Sequence, residues 1–313
     1  MVPAAGIIQP MRIAVAVNPQ ASFGKRSTAG AAAVQHFRSA GEDVLELRAE
    51  NAVRLEEAVR AALASGIDGL VVVGGDGLVH LAVNVLAGSE WARVPFGIVP
   101  SGTGNDTARA LGMPLNDVPA ACRRIAAALV TGGWPMDLGR ITGDGPPRWF
   151  AGVVSAGFDA AVNARANAWG WPHGRSRYNL AMVRELATFR AIDYTVTDFT
   201  ASDDGDTWRQ GAMLISVANG QSIGGGMRIT PEARIDDGLL ELFIVKPLSR
   251  AAFLAVFPKV FSGRHLGHPA VEIRQVRKVR ISAANIKAYA DGERIGALPL
   301  TIEVVPGAVH VLA

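Results

Sequence analysis

The stretch from Gly69 to Arg109 limits what this chain can fold into more than any other. Leu70, Val71, Val72 and Val73 form an apolar, mostly β-branched run, the pattern of a strand buried on both faces. The run stops at Gly74-Gly75-Asp76-Gly77, after which Val79, Val83 and Leu86 recur at helical spacing. A second buried strand, Phe96 to Val99, ends in Ser101-Gly102-Thr103-Gly104-Asn105-Asp106 and again leads towards a helix. Glycines at such strand ends let the backbone approach a ligand closely, and the following helix N-termini present free N–H groups, so the pair reads as a phosphate site. Asp76 and Asp106 cannot attract phosphate themselves, which points to a divalent cation or a hydroxyl as their partner. Neither loop is a standard fingerprint: there is no Walker-type lysine, and the Gly102 loop lacks the third glycine of the dinucleotide motif.

The flanking sequence supplies the rest of a parallel sheet. Arg12–Val17 reads as a strand, followed by a turn at Asn18-Pro19 that carries Lys25 and Arg26, then a helix from Thr28 to Ala40. A strand at Val44–Arg48 and a helix at Ala52–Ser65 complete the alternation expected of βαβ units. In such sheets ligands bind beyond the carboxyl ends of the strands, where both glycine loops fall. Past Trp134 short strands separated by turns take over: Trp149–Val154, Tyr194–Phe199, Ala212–Val217, Leu239–Val245, Val271–Arg274, Lys278–Ser282 and Thr301–Val305. That spacing predicts a sandwich or a barrel, interrupted by one helix from Ser249, its N-cap, to Phe261. The boundary is placed at Thr131–Pro135, with the site in the cleft between the two domains.

Several function classes drop out. The 313 residues contain no apolar run long enough to span a bilayer, and the N-terminus lacks the basic region of a secretory signal. A single cysteine, Cys122, excludes internal disulfides and fits a cytoplasmic, reducing setting. Net charge is only +3, but Ala164–Ile192 holds five Arg against one Glu, interleaved with Trp169, Trp171 and Tyr178. This reads either as a solvated face or as a patch for a membrane surface; no recognition motif supports nucleic acid. His80 reads as a packed or solvated helix histidine, and His265 with His268 lacks the neighbours of a zinc site.

Taken together, Asn18-Pro19, Gly74-Gly75-Asp76-Gly77, Pro100 to Asp106, Asp137-Leu138-Gly139, Asp236-Asp237-Gly238-Leu239 and Asp291-Gly292-Glu293 resemble the diacylglycerol kinase catalytic family. That family includes bacterial soluble lipid kinases and sphingosine kinases and is distantly related to NAD kinases and phosphofructokinases. The resemblance implies an α/β plus all-β protein: a Rossmann-like N-terminal domain with a parallel sheet (residues 1–133) and a C-terminal antiparallel β-sandwich for the lipid (134–307), with residues 308–313 returning to the first domain. It implies ATP bound by Asn18, Pro19, Gly74, Gly75, Asp76, Gly77, Gly102, Thr103 and Asn105. Catalytic Mg²⁺ would be held or oriented by Asp76 and Asp137, and the acceptor proton taken by Asp291 or Glu293, with Asp291 favoured at the tip of a hairpin that the sequence places between Ile286–Ala290 and Leu298–Ile302. A structural Mg²⁺ is implied at Asp237, with backbone groups near Arg234 and Leu239. The implied activity is phosphorylation of a lipid hydroxyl, diacylglycerol first, by a cytoplasmic enzyme in peripheral contact with the inner membrane, a homodimer being one open oligomeric state. The chain departs from the family at Leu78, Leu81 and Asn84-Val85; the family carries Glu where Leu81 stands. Sphingosine, ceramide or NAD as acceptor, or a catalytically silent binding protein, remain the alternatives.

Overall fold

The computed structural model describes residues 10–17, 27–158, 162, 165, 184 and 190–313. Four parallel strands, β1 (Arg12–Val17), β2 (Asp43–Leu47), β3 (Gly69–Gly74) and β4 (Phe96–Pro100), lie in the order β2-β1-β3-β4. Val15 of β1 sits between Glu46 and Val71, and Val72 of β3 pairs with Ile98. The crossovers are α1 (Ser27–Ser39), α2 (Ala52–Ala64) and α3 (Asp76–Leu86); α4 (Asp106–Ala110) and α5 (Val118–Leu129) follow β4. Local chemistry sets several of these boundaries. Asn51 caps α2 by accepting the Arg54 N–H at 3.0 Å, and Asp117 caps α5 by accepting from Ala120 at 2.9 Å. Every residue of β3 and β4 is buried, as the continuous apolar runs require.

The second domain is a sandwich. One layer contains β5 (Trp134–Thr142), β6 (Arg148–Phe150), β8 (Ile192–Asp198), β9 (Asp206–Ala212), β13 (Lys278–Ser282) and β16 (Leu300–Val311). The other is β12-β11-β10-β7-β14-β15, built from β7 (Val153–Gly157), β10 (Leu214–Ala218), β11 (Leu240–Val245), β12 (Val271–Val276), β14 (Lys287–Ala290) and β15 (Glu293–Ala297). The first layer is not separate from the parallel sheet. β16 runs antiparallel to β5 and β13, and at its far end Val311 pairs in parallel with Phe96 of β4, so one ten-stranded sheet passes through both halves.

Alternation along the second layer creates two cores. Ile215 and Val217, with Leu242 and Ile244, face the first layer; Leu214 and Ala218, with Phe243 and Val245, face outward under a cover that includes Phe253. That cover is the helix Arg250–Val256 continued as a 3₁₀ segment, Phe257–Ser262. Ser249 caps it, its Oγ accepting from Ala252 N–H at 3.2 Å. The α-helix stops short of the expected Phe261 because Pro258 has no N–H to continue the ladder.

Other elements differ from the sequence reading as well. β5 begins at Trp134 itself, inside the expected domain boundary Thr131–Pro135. The strand expected over Trp149–Val154 is two, β6 and β7, broken at Ala151-Gly152. The Asp291-Gly292 hairpin pairs β14 with β15 (Ala290 opposite Glu293), while the run from Leu300 belongs to β16.

Candidate active site

The two glycine loops touch each other through bare backbone. A Cβ on Gly75 would lie 2.9 Å from the Gly102 Cα, and one on Gly102 would overlap the Gly75 Cα. Glycine is therefore required at both positions by contact rather than by turn conformation. The Ser101 N–H donates to the Gly74 carbonyl at 2.9 Å, continuing the β3–β4 ladder into the loops. Asn105 sits at φ 54°, a left-handed conformation that Asn tolerates. Its amide closes the loop: Oδ1 accepts from Gly102 N–H at 2.9 Å, and Nδ2 donates to the Gly102 carbonyl at 3.1 Å. Gly77 and Thr103 are exposed at the loop rims.

Three carboxylates then converge on a cavity of about 160 Å³ lined by Asp76, Gly104, Thr107, Gly152, Ser222 and Asp291, among others. Asp76 opens α3, and its Oδ1 accepts from the Thr107 N–H at 3.2 Å. Burial, then the negative charge of Asp106, then that of Asp291 push its carboxyl up to about 6, although N–H groups of Thr107 and Asp106 pull the other way. Asp106 opens α4 and is fully engaged across the cleft. Its Oδ1 accepts from Ser222 Oγ–H at 2.8 Å and Gly226 N–H at 2.9 Å, and its Oδ2 from Gly225 N–H at 2.7 Å. Arg109 stands 3.8 Å from it.

Asp291 is placed by a tight turn. Asp291 and Gly292 have φ of 50° and 90°, the double left-handed geometry of a two-residue hairpin. Its carboxylate folds back onto the break between β6 and β7, with Oδ1 accepting from Gly152 and Val153 (2.9 and 3.1 Å) and Oδ2 from Ala151 (3.0 Å). His80 Nδ1 lies 3.3 Å from the same Oδ2, both side chains being almost wholly buried. The strand break that sequence periodicity missed thus exists to present three N–H groups to one acid. His80, read as packed or solvated, is packed, and it packs against a site residue. Glu293 remains exposed on β15, its Oε1 beside Gly77.

The structure brings Asp76 and Asp291 to one cavity, with Glu293 beside the α3 N-terminus. It takes Asp137 elsewhere. This buried residue accepts from Gly238 N–H at 2.7 Å and Gly307 N–H at 2.8 Å, one bond to each oxygen, which ties the Asp236–Gly238 turn and β16 to β5. Asp237 accepts from the Leu239 N–H at 3.0 Å, and Arg234 pairs with Asp236 at 3.2 Å. Among the described residues no three His, Cys, Asp or Glu side chains are arranged to hold a metal. The donor set fits Mg²⁺ only in the form that ion favours with phosphates, one or two carboxylates completed by phosphate oxygens and water. Asp76 is suited to it: its ionised form is disfavoured by burial and by two neighbouring carboxylates, whose charge a divalent cation would offset. Asn18 and Pro19 lie outside the described residues, as do Lys25, Arg26 and most of the Arg165–Arg190 segment. Asp106, noted as an acid but not assigned a role, and the Gly224-Gly225-Gly226 turn facing it are the site elements that sequence reasoning left out; three consecutive glycines after Ser222 are the signal that marks them.

Comparison with known proteins agrees with this geometry. The Diacylglycerol kinase catalytic domain family matches residues 12–141, and the YegS C-terminal NAD kinase beta sandwich-like domain family matches 152–313. A diacylglycerol kinase of Mycobacterium tuberculosis (strain H37Rv) is 38% identical over 305 residues, covering 96% of this chain and 94% of the relative. A YegS-like lipid kinase of Xanthomonas euvesicatoria is 31% identical, covering 80% of each. The crystal structure of a diacylglycerol kinase from Bacillus anthracis shares the fold at a TM-score of 0.70 and 22% identity over 96% of both chains. An NAD kinase from Archaeoglobus fulgidus, solved with ATP, shares it at 0.53 and 15%, covering 94% and 90%. The chain belongs to the diacylglycerol kinase catalytic family and is a lipid kinase of that family.

Proposed function

We propose that the protein transfers the γ-phosphate of ATP, with Mg²⁺, to the free hydroxyl of a diacylglycerol. The observation that carries this reading is a shared wall. Ile223 lines both the carboxylate cavity between the glycine loops and a second cavity of about 80 Å³ that is almost entirely apolar, lined by residues such as Phe158, Phe243 and Val260. A polar transfer site that adjoins an apolar chamber suits an acceptor whose hydroxyl is joined to a hydrocarbon, and does not suit a wholly polar one such as NAD.

In this reading the backbone N–H groups of the glycine loops and the α3 N-terminus cradle the phosphates. Asp76 would hold Mg²⁺, and that ion would supply neutralisation of the charge that builds on the transferring group. Asp291 receives the acceptor proton through Oδ2, the oxygen with one short N–H bond and the longer His80 contact, while the three backbone donors fix its direction. A loose transition state asks for an oriented hydroxyl more than for a strong base, so a well-bonded carboxylate serves. Asp137 acts at a distance by holding β16 and the Asp236–Gly238 turn in register. Asp237 and the carbonyls near Arg234 and Leu239 form the second cation site in this proposal. Because its acceptor resides in a bilayer, the enzyme works as a peripheral protein at the cytoplasmic face of the inner membrane.

Labelled ATP offered with diacylglycerol, ceramide, sphingosine and NAD, with and without Mg²⁺, tests the assignment. Label in diacylglycerol that disappears with chelation is expected; label only in NAD, or none in any acceptor, would refute it. Asp291→Asn should lower kcat by about 10²–10⁴ with nucleotide binding kept. If Glu293→Gln is the inactive variant and Asp291→Asn the active one, the base is Glu293.

A further inference from the structure

The cover of the apolar chamber has an outer face as well as an inner one. Phe253, Val256, Phe257 and Val260 recur at helical spacing and line the chamber. Leu254 and Phe261 point away from it and are 54% and 51% exposed, two of only four large apolar side chains left so open among the described residues. Around them stand Arg250, Lys259 and Arg264, all exposed, and Arg228, whose N–H donates to the Val260 carbonyl at 3.1 Å. None of these four cations forms an ion pair among the described residues. From Lys246 to Val271 the chain contains no Asp or Glu at all. The flanking carboxylates are Glu232, which is exposed, and Glu272, which is already engaged by Lys246 at 2.8 Å and by Arg274.

The aromatic rings of this cover form a file from inside to outside. Phe158 in the chamber meets Phe253 at 5.0 Å between centroids, Phe253 stacks on Phe257 at 5.8 Å, and Phe257 meets Phe261 at 6.2 Å. The file therefore begins in the chamber beside the carboxylate cavity and ends at a half-exposed ring on a basic segment that carries no acid of its own.

We propose that the face formed by Arg250, Leu254, Lys259, Phe261 and Arg264 docks onto an anionic bilayer, with the aromatic file joining that face to the apolar chamber behind it. This rests on the lipid-kinase reading and names the surface that delivers its substrate. Charge selects the occupant. Unpaired Arg and Lys around apolar side chains match negatively charged head groups above hydrocarbon, with Leu254 and Phe261 entering the interface. An acidic protein would satisfy the cations but would leave the apolar file without a destination.

Cys122 is buried and unreactive, so Leu254→Cys gives the chain a single accessible thiol for an environment-sensitive fluorophore. With phosphatidylcholine vesicles containing phosphatidylglycerol, the label should shift to the blue, and less so as salt shortens the screening length. Arg250→Gln/Lys259→Gln/Arg264→Gln should weaken vesicle partitioning by about 5-fold per charge, on the order of 10² in all. The same triple variant should keep the parent's rate on a short-chain diacylglycerol in detergent micelles, which also reports that it is folded. Sedimentation of the parent with vesicles while the label stays unshifted would overturn the proposal, since docking would then use another surface. Unchanged partitioning of the triple variant would overturn it too, as would a dimeric parent that the variant turns into monomers. Should the parent phosphorylate no diacylglycerol in micelles and yet show the label shift, the docking face stands and the diacylglycerol assignment falls.

Discussion

Replacing Asp76 by Asn should make the protein more stable and less active, with the gain appearing only above acidic pH. Burial and the charges of Asp106 and Asp291 raise the Asp76 carboxyl from 3.8 to about 6. A carboxyl raised that far disfavours the ionised form in the fold by about 3 kcal/mol; because the side chain keeps partial contact with solvent, about 1–3 kcal/mol is expected. The sign follows from proton binding. Between the unfolded and folded values the folded state binds the extra proton, so stability from this group is full below about 4 and lost as pH rises through about 6. Asn retains an oxygen for the Thr107 N–H but carries no charge to lose. Urea unfolding of parent and Asp76→Asn should therefore coincide near pH 4 and separate by about 1–3 kcal/mol in favour of the variant by about pH 7.5. Mg²⁺ should raise the parent's midpoint and leave the variant's unmoved, while turnover by the variant collapses. A variant less stable than the parent at neutral pH, or a difference independent of pH, would show that the three carboxylates do not interact as their placement requires.

Other perturbations follow from the same geometry. Gly102→Ala drives a Cβ into the Gly75 backbone and should destabilise by about 1–3 kcal/mol while weakening nucleotide affinity in a direct binding assay; Gly145→Ala, with nothing within 4 Å, should be silent. Asp137→Ala leaves the Gly238 and Gly307 N–H groups without their acceptor, so a loss of about 2–5 kcal/mol is expected in chemical denaturation. Asp137→Asn should fall between Asp137→Ala and the parent, because one oxygen remains. Burial pushes the Cys122 thiol up to about 11, so at pH 8 alkylation should proceed only as fast as the protein unfolds, read by mass spectrometry with and without urea.

The parts of this site that could be read from the sequence are those enforced locally. Glycine clusters stand directly at two strand ends, the apolar runs at Leu70 and Phe96 announce buried strands, and Asp291-Gly292 announces its own turn. What escaped reading depends on partners far along the chain. Asp137 looks like an acid near the end of a strand until Gly238 and Gly307 arrive from 101 and 170 residues away. Asp291 looks free to face a substrate until the break at Ala151–Val153 supplies its donors, and His80 reaches it across 211 residues. The hairpin partner was misplaced because Glu293–Ala297 is polar and contains Gly296, a weak strand signal beside the stronger run from Leu300.

The pairing of Val311 with Phe96 also sets an order of events during synthesis. Val309, Val311 and Leu312 are fully buried members of the first core, and the Leu312 N–H donates to the Phe96 carbonyl at 2.9 Å. A ribosome releases the four parallel strands long before it makes those residues, so the nascent N-terminal half waits with β4 unpaired at Phe96 and its core short of Val309, Val311 and Leu312. An unpaired edge of this kind is a template for pairing with other chains. Residues 1–133 expressed alone should therefore aggregate, and supplying the β16 segment in trans should restore solubility. In this architecture the half that is translated first is the half whose core is finished last.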